Sequence, residues 1–155
     1  LGLCTDTQEL AYVLGEGEDR APKGLNEGLA AGNRLQDILI GEFKNGRTGN
    51  EILLAALKRA KEEGLRASIY THPLGLHGHA AGPTIGLWDK QDGVPGTGDY
   101  PLYYDTCHSI ELNVKVSVPE WGNEEVTIAL EQDAAFTRAG TYFLDGRQRE
   151  FHLIK

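Results

Sequence analysis

Between Thr106 and Phe136, apolar and polar side chains alternate over two long runs. In the first, Ile110, Leu112, Val114, Val116 and Val118 fall on even positions, with Glu111, Asn113, Lys115 and Ser117 on odd ones. In the second, Val126, Ile128 and Leu130 are again even, with Thr127, Glu131 and Asp133 odd. A period of two is the signature of a half-buried β-strand. Pro119-Glu120-Trp121-Gly122-Asn123 joins the runs with turn-forming residues, so the segment predicts an antiparallel hairpin. A hairpin centred on Trp121 pairs Val118 with Glu124 and, counting outward, Glu111 with Glu131. A slip of one residue would turn one strand's apolar face to water, which constrains the register.

The period changes upstream. Leu25, Leu29, Leu35, Ile38, Leu39 and Phe43 make an apolar stripe at helical spacing and predict a helix over Leu25–Phe43, ended by Lys44-Asn45-Gly46. A second helix starts at Thr48, with Glu51 three residues on as a capping box. It buries Ile52, Leu53, Ala56, Leu57 and Ala60 and stops at Gly64, the expected left-handed residue after a helix. Leu1–Leu14 reads as extended, and the charged, glycine-containing stretch from Gly15 to Gly24 as a loop. Arg66–Tyr70 reads as a short strand, and Thr71–Pro83 and Gly93–Gly98 as loops. Two helices on a mostly antiparallel sheet predict an α+β domain.

Length, charge and cysteines narrow the class. A chain of 155 residues, 40% hydrophobic and 25% charged, fits one domain with its own core. The longest fully apolar stretch, Ile52–Leu57, is far too short to span a membrane, so no membrane partner is expected. The net charge of −8 argues against a nucleic-acid partner, and Lys58, Arg59 and Lys61 sit among acids on a helix face. Cys4 and Cys107 form no CxxC pattern and read as free, buried thiols. The chain opens at Leu1 inside an extended run, so a truncated piece is expected. Any targeting signal would then lie outside it, and the compartment stays open, with the cytoplasm the nearer expectation.

The facing glutamates bring in chemistry. Directly opposed side chains lie about 5 Å apart at Cβ, and two carboxylates there repel. The pair admits three readings: a solvent-facing pair, a carboxyl dyad sharing a proton, or two ligands of a hard cation. The stretch Thr71-His72-Pro73-Leu74-Gly75-Leu76-His77-Gly78-His79 is dense in imidazole, but Pro73 and Gly75 exclude a helical HExxH zinc site. Any metal here must take its other ligands from elsewhere in the fold. Clustered surface histidines are the alternative.

Four short motifs fall into one order. Thr5-Asp6-Thr7 comes first, then His72-Pro73-Leu74-Gly75 with His79 seven residues after His72, then Ser109-Ile110-Glu111, then Leu130-Glu131 before Asp133. In these residues, over nearly the whole chain, the sequence resembles the pita-bread metallopeptidases: methionine aminopeptidases, aminopeptidases P and prolidases. The resemblance implies an incomplete pita-bread (creatinase/aminopeptidase) fold, with a curved antiparallel sheet and helices on its outer face. Residues 1–155 would be one catalytic domain lacking its N-terminal part. Asp6, His72, Glu111 and Glu131 would be metal ligands, with Glu131 bridging two divalent ions (Mn, Co, Zn or Fe). His79 and Glu111 would be catalytic: His79 contacts substrate and stabilises the tetrahedral intermediate, and Glu111 moves the proton. His77 has no counterpart. Two departures stand out: the family's first metal-binding Asp would fall before Leu1, and the acid that often follows the second His is Ala80.

The activity implied is exopeptidase hydrolysis near a peptide's N-terminus through a metal-activated water, with a peptide as partner and a homodimer as a further expectation. The pattern His79-Ala80-Ala81-Gly82-Pro83 leans towards the Xaa-Pro branch. The rivals are a non-catalytic pita-bread domain that binds peptides or proteins, and a creatinase-like activity on a non-peptide C–N bond.

Overall fold

The computed structural model describes residues 2–155 and contains nine regular elements besides two short 3-10 turns. The first helix, α1 (Lys23–Gly41), starts and ends two residues before the stripe predicts. Phe43 still belongs to the stripe, because it packs past the helix end, edge-on to His108 and Phe136. Pro22 at the start offers no side-chain cap, and the Glu120 carboxylate supplies one instead, accepting the Gly24 N–H at 3.3 Å.

The second helix, α2 (Gly49–Glu62), carries the predicted capping box: Thr48 accepts the Glu51 N–H, and Glu51 accepts the Thr48 N–H. Gly64 follows at φ +77°, as expected. Lys58 and Arg59 pair with Glu62 and Glu63 on the exposed face. Thr48→Ala removes the cap and is expected to lower unfolding stability by about 1 kcal/mol, read as a lower urea midpoint at unchanged slope.

The main sheet runs β2 (Arg66–Ile69), β4 (Thr106–Val118), β5 (Glu124–Thr137), β6 (Gly140–Phe143), all antiparallel. On the β2 edge, β3 (His72–Leu74) also pairs with β4. The hairpin has the expected register: Val118 faces Glu124 and Glu111 faces Glu131. Even positions on both strands point to the helices, and Ile110, Leu112, Val114, Val118, Ile128 and Leu130 are buried there with Leu29, Leu35, Leu39, Ile52 and Leu53. Glycines set how closely α1 approaches. A Cβ on Gly28 would lie 2.8 Å from Val116, and one on Gly32 2.8 Å from Leu130.

The expected loop over Thr71–Pro83 is corrected at its start, where His72–Leu74 is a strand. Pro73 is tolerated because β3 lies on a sheet edge, where its missing N–H breaks no ladder. The extended reading of Leu1–Leu14 becomes a regular strand over only part of its length. Leu1 lies outside the described residues, and only β1 (Ala11–Val13) is a strand, paired in parallel with β7 (His152–Ile154). Residues 4–8 instead cross the open face of the main sheet, anchored by Cys4 N–H to the Gly75 carbonyl and Gln8 N–H to the Glu131 carbonyl. Both thiols are free, but neither is buried as expected: Cys4 lies exposed on this crossing and Cys107 half-buried on an odd position of β4.

Candidate metal centre

Odd positions of β4 and β5 face away from the helices, and they build the site. Glu111 and Glu131 stand opposed there. β3 brings His72 against the same stretch of β4, paired with Ser109. The crossing segment lays Asp6 on top. His72 Nε2 is 3.6 Å from Asp6 Oδ2, 3.8 Å from Glu111 Oε2 and 4.0 Å from Glu131 Oε1. All four predicted ligands therefore converge, and one ligand atom each of Asp6, His72 and Glu131 lies within 4.8 Å of the other two.

The electrostatics are unbalanced. Burial, then Glu131 and Asp6, push the Glu111 carboxyl up to about 7. Burial also raises Glu131, opposed by the Ser109 hydroxyl bond and reinforced by Asp6 and Asp133. Asp133 is raised by burial against the opposing Asp6 N–H. Arg66 and Lys115, the basic residues of the same sheet, both pair with Glu125 instead. His72 does not supply the missing charge, because burial lowers its pKa.

A cation fits this arrangement. His72 Nδ1 lies 3.2 Å from the Pro73 carbonyl, which places the ring proton on Nδ1 and leaves a lone pair on Nε2. That Nε2 is buried and has no hydrogen-bond partner among the described residues, yet it faces three carboxylates. Acceptors that converge on one point need something positive between them.

His79 is exposed at the rim, its ring centroid 4.1 Å from that of His72. It is held in reach by the Ala80 N–H on the Pro73 carbonyl. His77 is exposed. Three residues had no assigned part: Ser109, whose Oγ is 3.0 Å from Glu131 Oε1; Asp133, which accepts the Asp6 N–H; and Tyr70, whose hydroxyl accepts from Asn113. Ser109, Asn113 and Asp133 occupy odd positions on the predicted hairpin, so the alternation itself put them on the site's face.

His108, at an even position, is fully buried in the core beneath. Burial, aided by nearby His72, pushes it down to about 4, and the Pro83 carbonyl offsets this only in part. Its neutral form is favoured in the fold, so its contribution is full above pH 6.5 and lost as pH falls towards 4, worth about 3 kcal/mol. Glu111 acts oppositely: its contribution is full below 4.5 and lost as pH rises through 7. In chelator between pH 4.5 and 6.5, His108→Leu is expected to make the melting temperature trend further downward with rising pH than in the unaltered chain, and Glu111→Gln to make it trend further upward. Parallel profiles for all three proteins would refute the assignment.

No protein-family model and no curated protein matches the chain. Solved structures do. The X-Pro aminopeptidase from Thermotoga maritima MSB8 superposes with a TM-score of 0.68 at 19% identity, over 98% of this chain and 38% of that one. Dipeptidase PepE from Mycobacterium ulcerans gives 0.66 at 18%, over 99% and 36%. The N-terminal domain of FACT complex subunit SPT16 from Eremothecium gossypii gives 0.69 at 12%, over 95% and 32%. The chain thus spans a little over a third of the two peptidases' length. At these identities the likeness is one of fold: the chain carries, in part, the pita-bread fold of the X-Pro aminopeptidase, prolidase and dipeptidase structures.

Proposed function

We propose that the chain is part of the single catalytic domain of a metal-dependent exopeptidase that cleaves near the N-terminus of peptides, with Xaa-Pro bonds as the candidate class. The observation that carries it is the unpartnered, buried His72 Nε2 facing Asp6, Glu111 and Glu131. The peptidase names of the solved structures with this fold support the substrate class, as does the His79-to-Pro83 pattern. Asp6, His72, Glu111 and Glu131 would hold two divalent ions (Mn, Co, Zn or Fe), which supply Lewis acidity and an acidified water.

The protein's own groups do the rest. Glu111 is half-buried opposite Glu131 and would take a proton from the water and return it to the leaving amine. His79, exposed beside the centre, is placed to donate an N–H to a carbonyl oxygen as negative charge develops there. His72 is held by Pro73 and offers only Nε2 inward.

The test is a titration of the metal-free chain with Mn²⁺, followed by release of N-terminal residues from Xaa-Pro peptides with and without chelator. Saturable uptake at micromolar Mn²⁺ is expected, and its absence overturns the reading. A second reading, a non-catalytic domain that binds peptides or proteins, draws on the likeness to SPT16, named for its complex rather than for hydrolysis. It predicts peptide binding that survives Glu131→Gln.

A further inference from the structure

We propose that Ser109 and Asp133 are positioning residues that clamp the Asp6 peptide and so turn Asp6 into a ligand. The inference rests on the metal reading above.

Asp6 lies midway along the crossing segment, two residues from each backbone anchor, Cys4 and Gln8. Its own backbone is held from the sheet by side chains. The Asp6 N–H points at both Asp133 oxygens, at 3.2 and 3.3 Å. Its carbonyl accepts from Ser109 Oγ at 3.1 Å. Ser109 and Asp133 are a directly opposed pair on β4 and β5, so one rung of the hairpin grips both ends of one peptide residue.

The same Ser109 hydroxyl lies 3.0 Å from Glu131 Oε1. It has one proton for two acceptors, so the position of Asp6 is tied to that of Glu131. Without the clamp, the half-exposed Asp6 side chain would hang from an unpaired stretch of backbone. With it, Oδ2 is fixed 3.6 Å from His72 Nε2. Stability alone is a poor reason for this rung. Ser109 is fully buried and Asp133 is 5% exposed, and burying a carboxylate beside two others opposes folding. Partners that hold metal ligands in place commonly govern affinity from just outside the coordination sphere.

Titration of the chain with Co²⁺ separates the roles. Ser109→Ala and Asp133→Ala are each expected to weaken Co²⁺ binding about 10–100-fold and to alter the visible absorption of the bound ion. Asp133→Asn keeps a carbonyl that accepts the Asp6 N–H, so it should stay close to the unaltered affinity. The double alanine variant should lose less than the two single losses multiplied, because both residues hold one peptide. Amide exchange at Asp6 should be slow in the unaltered chain and fast in Asp133→Ala.

Should Asp133→Ala not fold, Ser109→Ala and Asp133→Asn still decide. Unchanged affinity in Ser109→Ala overturns the clamp. So does an Asp133→Asn loss as large as that expected on removing the acceptor, since charge would then be what matters. Failure of the unaltered chain to take up Co²⁺ overturns both this inference and the proposed function. Normal uptake with indifferent variants overturns the clamp alone.

Discussion

Glu131→Gln is expected to weaken divalent-ion binding by more than about 100-fold, beyond the usual effect of residues that merely support ligands. The proposed hydrolysis should vanish with it. Glu131 is buried, opposed to Glu111 across the hairpin, and one of its carboxylate oxygens is among the three mutually close ligand atoms. The amide has the same shape but no charge, and an amide oxygen binds a divalent ion far less well than a carboxylate. The metal-free variant should melt no lower than the unaltered chain, because one of the repelling carboxylates is gone. Calorimetric Mn²⁺ titration and thermal melts in chelator read the two effects separately. Unchanged Mn²⁺ affinity would remove Glu131 from the centre, and a lower melting point would mean that the substitution harms the fold.

The largest effect on folding is expected from Gly86→Ala. Gly86 is buried at φ +76°, and a Cβ there would lie 2.1 Å from the Ile69 carbonyl oxygen and 2.9 Å from Leu53. Left-handed strain and backbone overpacking together should cost about 3–5 kcal/mol, a large share of the stability of an ordinary domain. The clash has no flexible partner to absorb it. Ile69 is the last residue of β2, and the Gln91 side chain already holds both its N–H and its carbonyl. Urea unfolding reads the loss, and a change below about 1 kcal/mol would contradict the close approach. Damage should reach the candidate metal centre as well. Neighbouring Ile85 exchanges two backbone hydrogen bonds with Thr71, and the Thr71 hydroxyl lies against the Glu111 backbone.

The hairpin and its facing glutamates were legible because alternation and turn chemistry agree, and only one register buries both apolar faces. The second helix was legible because Thr48, Glu51 and Gly64 are local signals. His72 was legible as a candidate ligand but was placed in a loop, since Pro73 argues against a strand wherever the position relative to a sheet edge is unknown. β6 and β7 carry too few residues for a periodic signal, and β7 exists only because β1 lies beside it. The parts of Ser109 and Asp133 were hidden for a different reason. Their positions on the site's face follow from alternation, but their partner is a distant backbone whose path across the sheet has no periodicity at all. Both cysteines were assigned to the interior on residue type, whereas that same crossing path leaves Cys4 in solvent.

That path also implies an order of events. The two glutamates are brought together by a hairpin, a contact between near neighbours in the chain, whereas Asp6 meets Asp133 across a separation of 127 residues. Short loops close first and distant ones late. A refolding chain should therefore assemble its like-charged pair early and gain the third carboxylate, and with it the proposed capacity to retain an ion, only in its slowest phase. Stopped-flow refolding in the presence of Co²⁺ would show the metal's absorption rising after the sheet signal, and simultaneous rise would contradict this sequence.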